Sequence, residues 1–426
     1  MRILIKNGRV IDPVNQIDRI TNVYIIAGRI EAVADTLEGF QPEREIDASG
    51  RLVCPGLVDL AVRLREPGFE HKGTIASETR AAAAAGVTSL VTPPDTDPVT
   101  DTPAVVKLIR KTAALAGYCH TYSLGAATQK LGGEHISEMG ALKAAGVVGV
   151  SNALTPIKSP LVMKRVMEYA ATFDLTLFLF SEDPSLRHNG CVHEGAISTR
   201  LGLPGIPEAA ETVAVARNLA LVADTGVRAH FSQISTAKAL QMIARAQYDG
   251  LPVSIDVAAH QLFLTDMDIG EFDSQCHVRP PLRSQRDMQG LREGVRKGTI
   301  SAICSDHQPH EADAKLRPFI DTAAGTSGLE TLLPLTLRLA EEINLDLMEA
   351  IARVTRAPAQ ILGIEAGSLS PGASADVIVV DPEAHWTVGP ETLLSRGHNT
   401  PFRDWDMKGR VSHTLLAGEL VFSRDS

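Results

Sequence analysis

The stretch PGLVDLAVRLREPG, residues 55–68, decides the fold of the chain. A short apolar run lies between two Pro-Gly steps. Because successive side chains of a strand point to opposite faces, Asp59, Ala61 and Arg63 share one face. We therefore predict a buried strand whose inward side carries a carboxylate and a guanidinium group.

Beyond this strand, helical and strand-like segments alternate as far as residue 364. The Ala-rich segment TIASETRAAAAAG (74–86) is typical of a helix, and VTSLVTPP (87–94) is typical of a strand that prolines end. HISEMGALKAAG (135–146) and VVGVSNA (147–153) repeat the pattern. Repeated units of this length favour a parallel sheet, and their number favours a closed barrel. We predict an α/β fold with a (β/α)8 TIM barrel over residues 55–364.

Both ends of the chain have a different pattern. RILIKNGRVID (2–12) and KGRVSHTLLAGELVFS (408–423) are short alternating runs interrupted by turn residues. We predict a small β-sandwich domain built from both termini, with residues 1–54 joined to residues 365–426.

Composition excludes several classes of partner and location. The net charge of −10 argues against nucleic acid or an anionic membrane as the main partner. No apolar run is long enough to span a bilayer, and the N-terminus lacks the apolar segment of a secretory signal. The five cysteines have no paired spacing, which predicts reduced thiols and a cytoplasmic protein; Cys54 and Cys304 are expected to be buried.

The motifs along nearly the whole chain resemble those of dihydroorotases of the longer, type I kind, in the amidohydrolase superfamily. Besides residues 55–68, the resemblance rests on AAAAAGVTSLVTPPDTDP (81–98), MGALKAAGVVGVSN (139–152), FSEDPSL (180–186), HFSQISTA (230–237), RPPLR (279–283), SDHQPH (305–310), AGTSGLE (324–330) and NTPFRDWDMKG (399–409). Each motif is weak alone, but their order and spacing form a strong signal. The barrel is therefore expected to be of the amidohydrolase type.

The resemblance implies a zinc site at the carboxyl ends of the barrel strands, with an aspartate that shuttles a proton. In the family, histidines and a bridging carboxylate bind the metal. The matching positions here are Ala61, Arg63, Asn152, Ala153, Ser181 and Gln233. Only Asp306 matches a catalytic residue. We expect no metal or other cofactor, and no catalytic residue besides this remnant.

Other positions give further expectations. A guanidinium at Arg63 is expected to pair with Asp306 in place of a metal. In the family, the positions of Arg65, Asp95 and His310 contact the substrate carboxylate, so these residues are a possible residual anion pocket. Arg65 has an alternative role, which is to brace the strand-one turn through Glu66.

Two histidine predictions complete the survey of the site. His230 is expected to be a hydrogen-bonded core residue. His307 and His310 have a plausible metal-ligand spacing, but the resemblance favours a structural role for His307.

Two classes of function follow from the resemblance. The chain is similar to inactive dihydroorotase homologues that assemble with the catalytic chains of aspartate carbamoyltransferase in pyrimidine biosynthesis. Such a protein is a structural or regulatory subunit, and a homo-oligomer is expected. The alternative is a cyclic-amide hydrolase of the dihydroorotase or hydantoinase kind with a rearranged or metal-poor site, using Asp306 as base beside Arg63 and Arg65. A ligand-sensing use of the residual pocket is a third possibility.

Overall fold

The structure is a computed structural model that describes residues 1–424. Its strands are β1 (Arg2–Asp12), β2 (Ile17–Ile26), β3 (Arg29–Ala34), β4 (Arg44–Asp47), β5 (Leu52–Pro55), β6 (Leu57–Asp59), β7 (Val87–Thr92), β8 (His120–Ala126), β9 (Gly149–Ser151), β10 (Leu177–Phe180), β11 (Val192–His193), β12 (Gly205–Ile206), β13 (Ala229–Ser232), β14 (Val253–Ala258), β15 (Ala302–Cys304), β16 (Val377–Thr387), β17 (Asp406–Leu416) and β18 (Glu419–Ser423). Its α-helices are α1 (Ile75–Ala84), α2 (Pro103–Ala116), α3 (Met139–Ala145), α4 (Pro160–Thr172), α5 (Pro184–Arg187), α6 (Ala196–Leu201), α7 (Glu208–Thr225), α8 (Ala237–Tyr248), α9 (Gln285–Lys297), α10 (Leu329–Ile343), α11 (Leu347–Ala352) and α12 (Arg356–Leu362).

Within residues 1–424, eight parallel strands form a barrel. Their order follows the chain from β6 through β7, β8, β9, β10, β13 and β14 to β15. The barrel closes just beyond its first and last strands, where His307 N donates to Ala61 O and Arg63 N donates to His307 O, both at 2.9 Å. The predicted (β/α)8 barrel is confirmed.

The barrel strands are apolar because they are buried on both faces. Every residue of β7 is buried. Inside the barrel, Val58, Val91, Leu124, Phe178 and Cys304 belong to one apolar cluster, which makes the interior a packed core. Helices cover the outside of the strands. Polar side chains that meet at the carboxyl ends of these strands are consequently held on a rigid base.

The remaining long strands form one sheet from both ends of the chain. Its order is β18-β17-β16-β5-β1-β2-β3, and β4 pairs with β1 in parallel. The additional sheet expected from both termini is present, and it is continuous in its hydrogen bonding. It encloses an apolar cluster that includes Ile3, Val23, Val53 and Leu415. The assignment of residues 1–54 and 365–426 to one domain stays a prediction, and residues 425–426 lie outside the described part.

All five cysteines are buried and unpaired in the described part of the chain, in agreement with the prediction for Cys54 and Cys304. Among residues 1–424, no helix combines the length and the apolar character needed to cross a membrane.

The barrel closes where His307 pairs with Ala61 and Arg63, which we call the seam. A buried carboxylate of a surrounding helix stabilises this seam. Glu78 of α1 lies 2.9 Å from His307 Nε2 and accepts from Ser395 Oγ at 2.6 Å and from Arg396 N at 3.2 Å. Gly328 N donates to His307 Nδ1 at 3.2 Å, so His307 Nε2 carries the proton that Glu78 accepts. His307 is thus structural, as the resemblance favoured.

We predict that Glu78→Ala lowers the free energy of unfolding by about 3 kcal/mol, because it leaves buried donors without partners. Urea denaturation measures the change. Glu365→Ala, at an exposed carboxylate, is the matched control and should stay within about 0.5 kcal/mol of the parent. Equal losses in both variants would contradict a special role for Glu78.

Candidate functional site

The positions that would bind metal follow the carboxyl ends of the barrel strands, as expected. They lie beyond β6, β9, β10, β13 and β15 and are buried: Ala61, Arg63, Asn152, Ala153, Ser181, Gln233 and Asp306. The structure therefore brings the predicted strand ends to one face of the barrel.

Asp306 is held by donors where the family pattern would place a metal. Its Oδ1 accepts from the side-chain amides of Gln233 and Gln308, each at 2.9 Å. Arg63 Nη1 lies 3.6 Å from the same oxygen. Asp306 Oδ2 is buried and has no hydrogen-bond partner among the described residues. Two neutral amides and one guanidinium thus surround one carboxylate oxygen.

The expected pair of Arg63 with Asp306 is present as an ion pair, but the direct hydrogen bond of Arg63 goes elsewhere. Its Nε donates to Asp95 Oδ2 at 2.8 Å. Burial alone would lower the pKa of Arg63, but Asp95 and Asp306 raise it above its usual value. Arg63 is therefore a fixed cation between two carboxylates. Asp95, which we predicted to be part of an anion pocket, is therefore a hydrogen-bond and ion-pair partner of Arg63.

Two buried carboxyl groups at the site have raised pKa values. Burial raises the pKa of Asp306 to about 7, against the lowering effect of Arg63 and Gln308. Burial likewise raises the pKa of Asp59 to about 6, although Ser305 and Ala61 N–H groups donate to it. Burial disfavours the ionised form of each carboxyl group, and at Asp306 the nearby Arg63 offsets this effect only in part.

Asn152 does not face a metal position at all. Its Oδ1 accepts from Thr128 Oγ1 at 2.6 Å, and its Nδ2 donates to Leu131 O at 3.2 Å and to Thr155 O at 2.8 Å. The amide braces the loops after β8 and β9. A carboxylate could not make the two donated bonds, so the Asn at this position suits a structural role.

Little space is left at the strand ends. A cavity of about 40 Å³ lies beside Ala61, Arg63, Phe178, Phe180 and Gln233. Pockets that bind small molecules usually measure ~300–1,000 Å³, so this cavity is small. Bulky side chains and Arg63 fill the rest.

Arg279 helps to close the carboxyl end of the barrel, which we call the barrel mouth, beside β10. Arg279 forms an ion pair with Glu182, and its guanidinium lies 5.2 Å from the Phe180 ring centroid. Sequence reasoning did not single out Arg279 or Gln308. The signal was available, because RPPLR and SDHQPH are both among the motifs that carry the family resemblance.

Arg65 and His310 do meet. Arg65 Nη2 lies 3.1 Å from His310 Nε2, and Arg65 Nε donates to Pro309 O at 3.0 Å. Burial and the neighbouring Arg65 and Lys72 lower the pKa of His310 to about 2, so His310 is neutral. Bracing through Glu66 is wrong, since Glu66 Oε2 accepts from Ile75 N at 2.8 Å and so serves the start of α1.

The residues do not fit a catalytic metal. Among residues 1–424, no group of three or more His, Cys, Asp or Glu side chains could hold an ion. His230, predicted to be a core residue, is fully buried and contacts Ser254 Oγ and Asp256 Oδ2 at 2.8 Å. Arg63 also puts permanent positive charge where a cation would bind.

The architecture is a parallel α/β barrel with an added sheet and with polar residues at the strand ends. Solved structures share this fold. The L-hydantoinase of Arthrobacter aurescens superposes with a TM-score of 0.88 at 22% identity, covering 99% of this chain and 96% of that one. The dihydropyrimidinase of Brevibacillus agri gives 0.84 at 19% identity, over 100% and 96%. At this identity the likeness concerns the fold alone.

Sequence comparison identifies the family. A "Dihydro-orotase-like" family model matches residues 50–239, and an "Amidohydrolase family" model matches residues 290–422. The dihydroorotase-like protein of Pseudomonas aeruginosa is 48% identical and that of Pseudomonas putida 50%, each over 99% of both chains. The dihydroorotase of Syntrophotalea carbinolica is 43% identical, also over 99% of both. The chain belongs to the dihydroorotase-like family of the amidohydrolase superfamily.

We predict that Asp306→Asn becomes more stable relative to the parent as pH rises. The folded carboxyl, with a pKa of about 7, binds its proton more tightly than the unfolded one at 3.8. The stabilisation is complete below pH 3.8 and is lost as pH rises through 7. Between pH 5 and pH 8 the difference in the free energy of unfolding should shift by about 3 kcal/mol in favour of the variant.

Chemical denaturation at both pH values measures this shift. Asp321→Asn, at an exposed side chain, is the control and should show a flat difference. A flat difference for Asp306→Asn as well would contradict the raised pKa.

We further predict that Arg63→Met costs about 3–5 kcal/mol of stability, because it leaves buried carboxylates without their cation. Adding Asp306→Asn should recover part of the loss, since the double variant no longer buries that charge. Urea denaturation of both single variants and the double variant gives the coupling energy. Additive losses would show that Arg63 and Asp306 do not act as a pair.

Proposed function

We propose that this chain is a non-catalytic dihydroorotase-like subunit that organises the catalytic chains of aspartate carbamoyltransferase. Its role would be structural or regulatory, in pyrimidine biosynthesis in the cytoplasm, as part of an oligomer. The observation that carries the proposal is the set of Arg63, Gln233 and Gln308 around Asp306, at the position where the family pattern places the metal.

The same geometry argues against turnover. An aspartate that shuttles a proton must reach the substrate and a metal-bound water. Asp306 Oδ1 already has two amide donors, and the cavity beside Arg63 and Gln233 measures only about 40 Å³. Hydrolysis would therefore require several buried side chains to move together.

The scaffold role is compatible with the fold. In barrels of this kind the core and the strand-end site are carried by different residues, so the site can change while the core remains. The two Pseudomonas relatives carry the name dihydroorotase-like protein, whereas the Syntrophotalea relative is named a dihydroorotase. The transferase partner itself comes from the resemblance of the sequence to inactive homologues.

One observation favours the alternative, a cyclic-amide hydrolase with a metal-poor site. A carboxyl group with a pKa of about 7 suits a general base, and Asp306 Oδ2 makes no hydrogen bond within residues 1–424. In this mechanism Asp306 would activate water while Arg63 or Arg65 stabilises the developing oxyanion. The small volume of the cavity argues against this hydrolase mechanism.

Turnover of dihydroorotate and of carbamoyl aspartate by the purified chain, with zinc in excess, tests the proposal. We expect no turnover above background. Activity that Asp306→Asn abolishes would overturn the proposal and support the alternative. Activity that survives this substitution points to a contaminating enzyme, and a chain purified from a host without dihydroorotase then repeats the measurement.

The second half of the proposal is tested by mixing the chain with the catalytic chain of aspartate carbamoyltransferase from the same organism. Size-exclusion chromatography with light scattering should show one complex larger than either component. Two unchanged peaks would overturn the scaffold role even if the chain is inactive.

A further inference from the structure

The outer side of α2 carries lysines and exposed leucines in one stripe. Lys107, Leu108, Lys111 and Leu115 follow the helical spacing of a single side. Leu108 is 49% exposed and Leu115 is 79% exposed. Both lysines are exposed. We call these four residues the α2 face.

The neighbouring helices extend the positive charge. α1 and α3 contact α2 and carry exposed Arg80 and Lys143, although Lys143 Nζ donates to Phe173 O, which follows α4. Across these three helices the sole acidic residue is Glu78, which is buried against His307. A chain with a net charge of −10 therefore presents a surface of the opposite sign here.

These cations are not neutralised within the chain. Among the ion pairs formed by residues 1–424, none includes Arg80, Lys107 or Lys111. By contrast, the exposed Arg296 of α9 pairs with Glu293. Lys107 and Lys111 stand one helical turn apart, so their repulsion disfavours the isolated helix. No ion pair within residues 1–424 offsets this repulsion.

Arg110 is a separate case. Its Nη1 lies 3.5 Å from the position that a Cβ atom would take at Gly146, the residue that caps the end of α3. A cation at a helix C-terminus is stabilised by the helix dipole. Arg110 therefore has a role in the fold, and we leave it out of the α2 face.

We propose that the α2 face is a docking surface for an acidic, partly apolar protein surface on the partner subunit. The inference rests on the proposed function, because it assigns the contact with the transferase catalytic chain to this face. Leu108 and Leu115 would supply the apolar centre of the contact, and Lys107 and Lys111 would pair with carboxylates around it.

A second copy of this chain is a poorer occupant. Subunits related by a two-fold axis contact each other through the same patch, which would place the lysines of one copy against those of the other. Like charges across an interface are unfavourable. The homo-oligomer contact is therefore expected on a different side of the barrel.

The test compares two charge-reversed variants in binding to the purified transferase catalytic chain. Lys107→Glu/Lys111→Glu should weaken binding at least about tenfold and reduce its salt dependence. Lys238→Glu/Arg286→Glu changes the net charge equally, at exposed, unpaired cations of α8 and α9, and should bind like the parent. Leu115→Gln should weaken binding without changing charge. Thermal unfolding checks that every variant folds.

The outcomes separate the two proposals. If the parent chain does not bind the transferase, the proposed function fails and this inference fails with it. If the parent binds and the α2 variant binds equally well, this inference alone is wrong. Two outcomes measured on the chain by itself would also contradict the inference. One is that Lys107→Glu/Lys111→Glu changes self-association. The other is that it abolishes binding to phosphatidylserine vesicles.

Discussion

The barrel mouth depends on one buried cation. Arg63 donates to Asp95 and lies at ion-pair distance from Asp306, so its charge offsets two of the carboxylates that converge there. Burial nevertheless raises the pKa of Asp306, against the lowering effect of Arg63. A guanidinium can hold such a cluster together because it is always protonated and presents several donors in one plane. The amides of Gln233 and Gln308 complete the arrangement without adding charge.

Closure of the mouth and integrity of the barrel are separate properties of this chain. The apolar cluster inside the strands lies below the polar layer, and the seam is fixed by Glu78 and His307 from the helical side. Neither needs a metal ion. The barrel core and its seam are therefore formed by residues other than those at the strand-end positions where the family pattern places metal ligands.

Sequence patterns were sufficient for the barrel, for the sheet formed from both termini and for the positions of the strand ends. They also predicted that Arg63 would approach Asp306. They did not predict the hydrogen bond from Arg63 to Asp95, because the two residues follow different strands and the reach of a long side chain depends on rotamers. The contacts of Gln308 and Arg279 were not predicted either, because they too depend on side-chain rotamers. Asn152 was placed correctly along the chain, but its turn toward Thr128 depends on local backbone geometry.

Strand β5 pairs with β1 on one side and with β16 on the other. In the sequence, the whole barrel lies between β5 and β16. During synthesis on the ribosome, the edge of β5 that later receives β16 stays open until the last part of the chain has emerged. An open strand edge is a template for pairing with other chains. A nascent or truncated chain that lacks β16–β18 therefore exposes this edge, and its protection in the cell depends on chaperones or on rapid completion of translation.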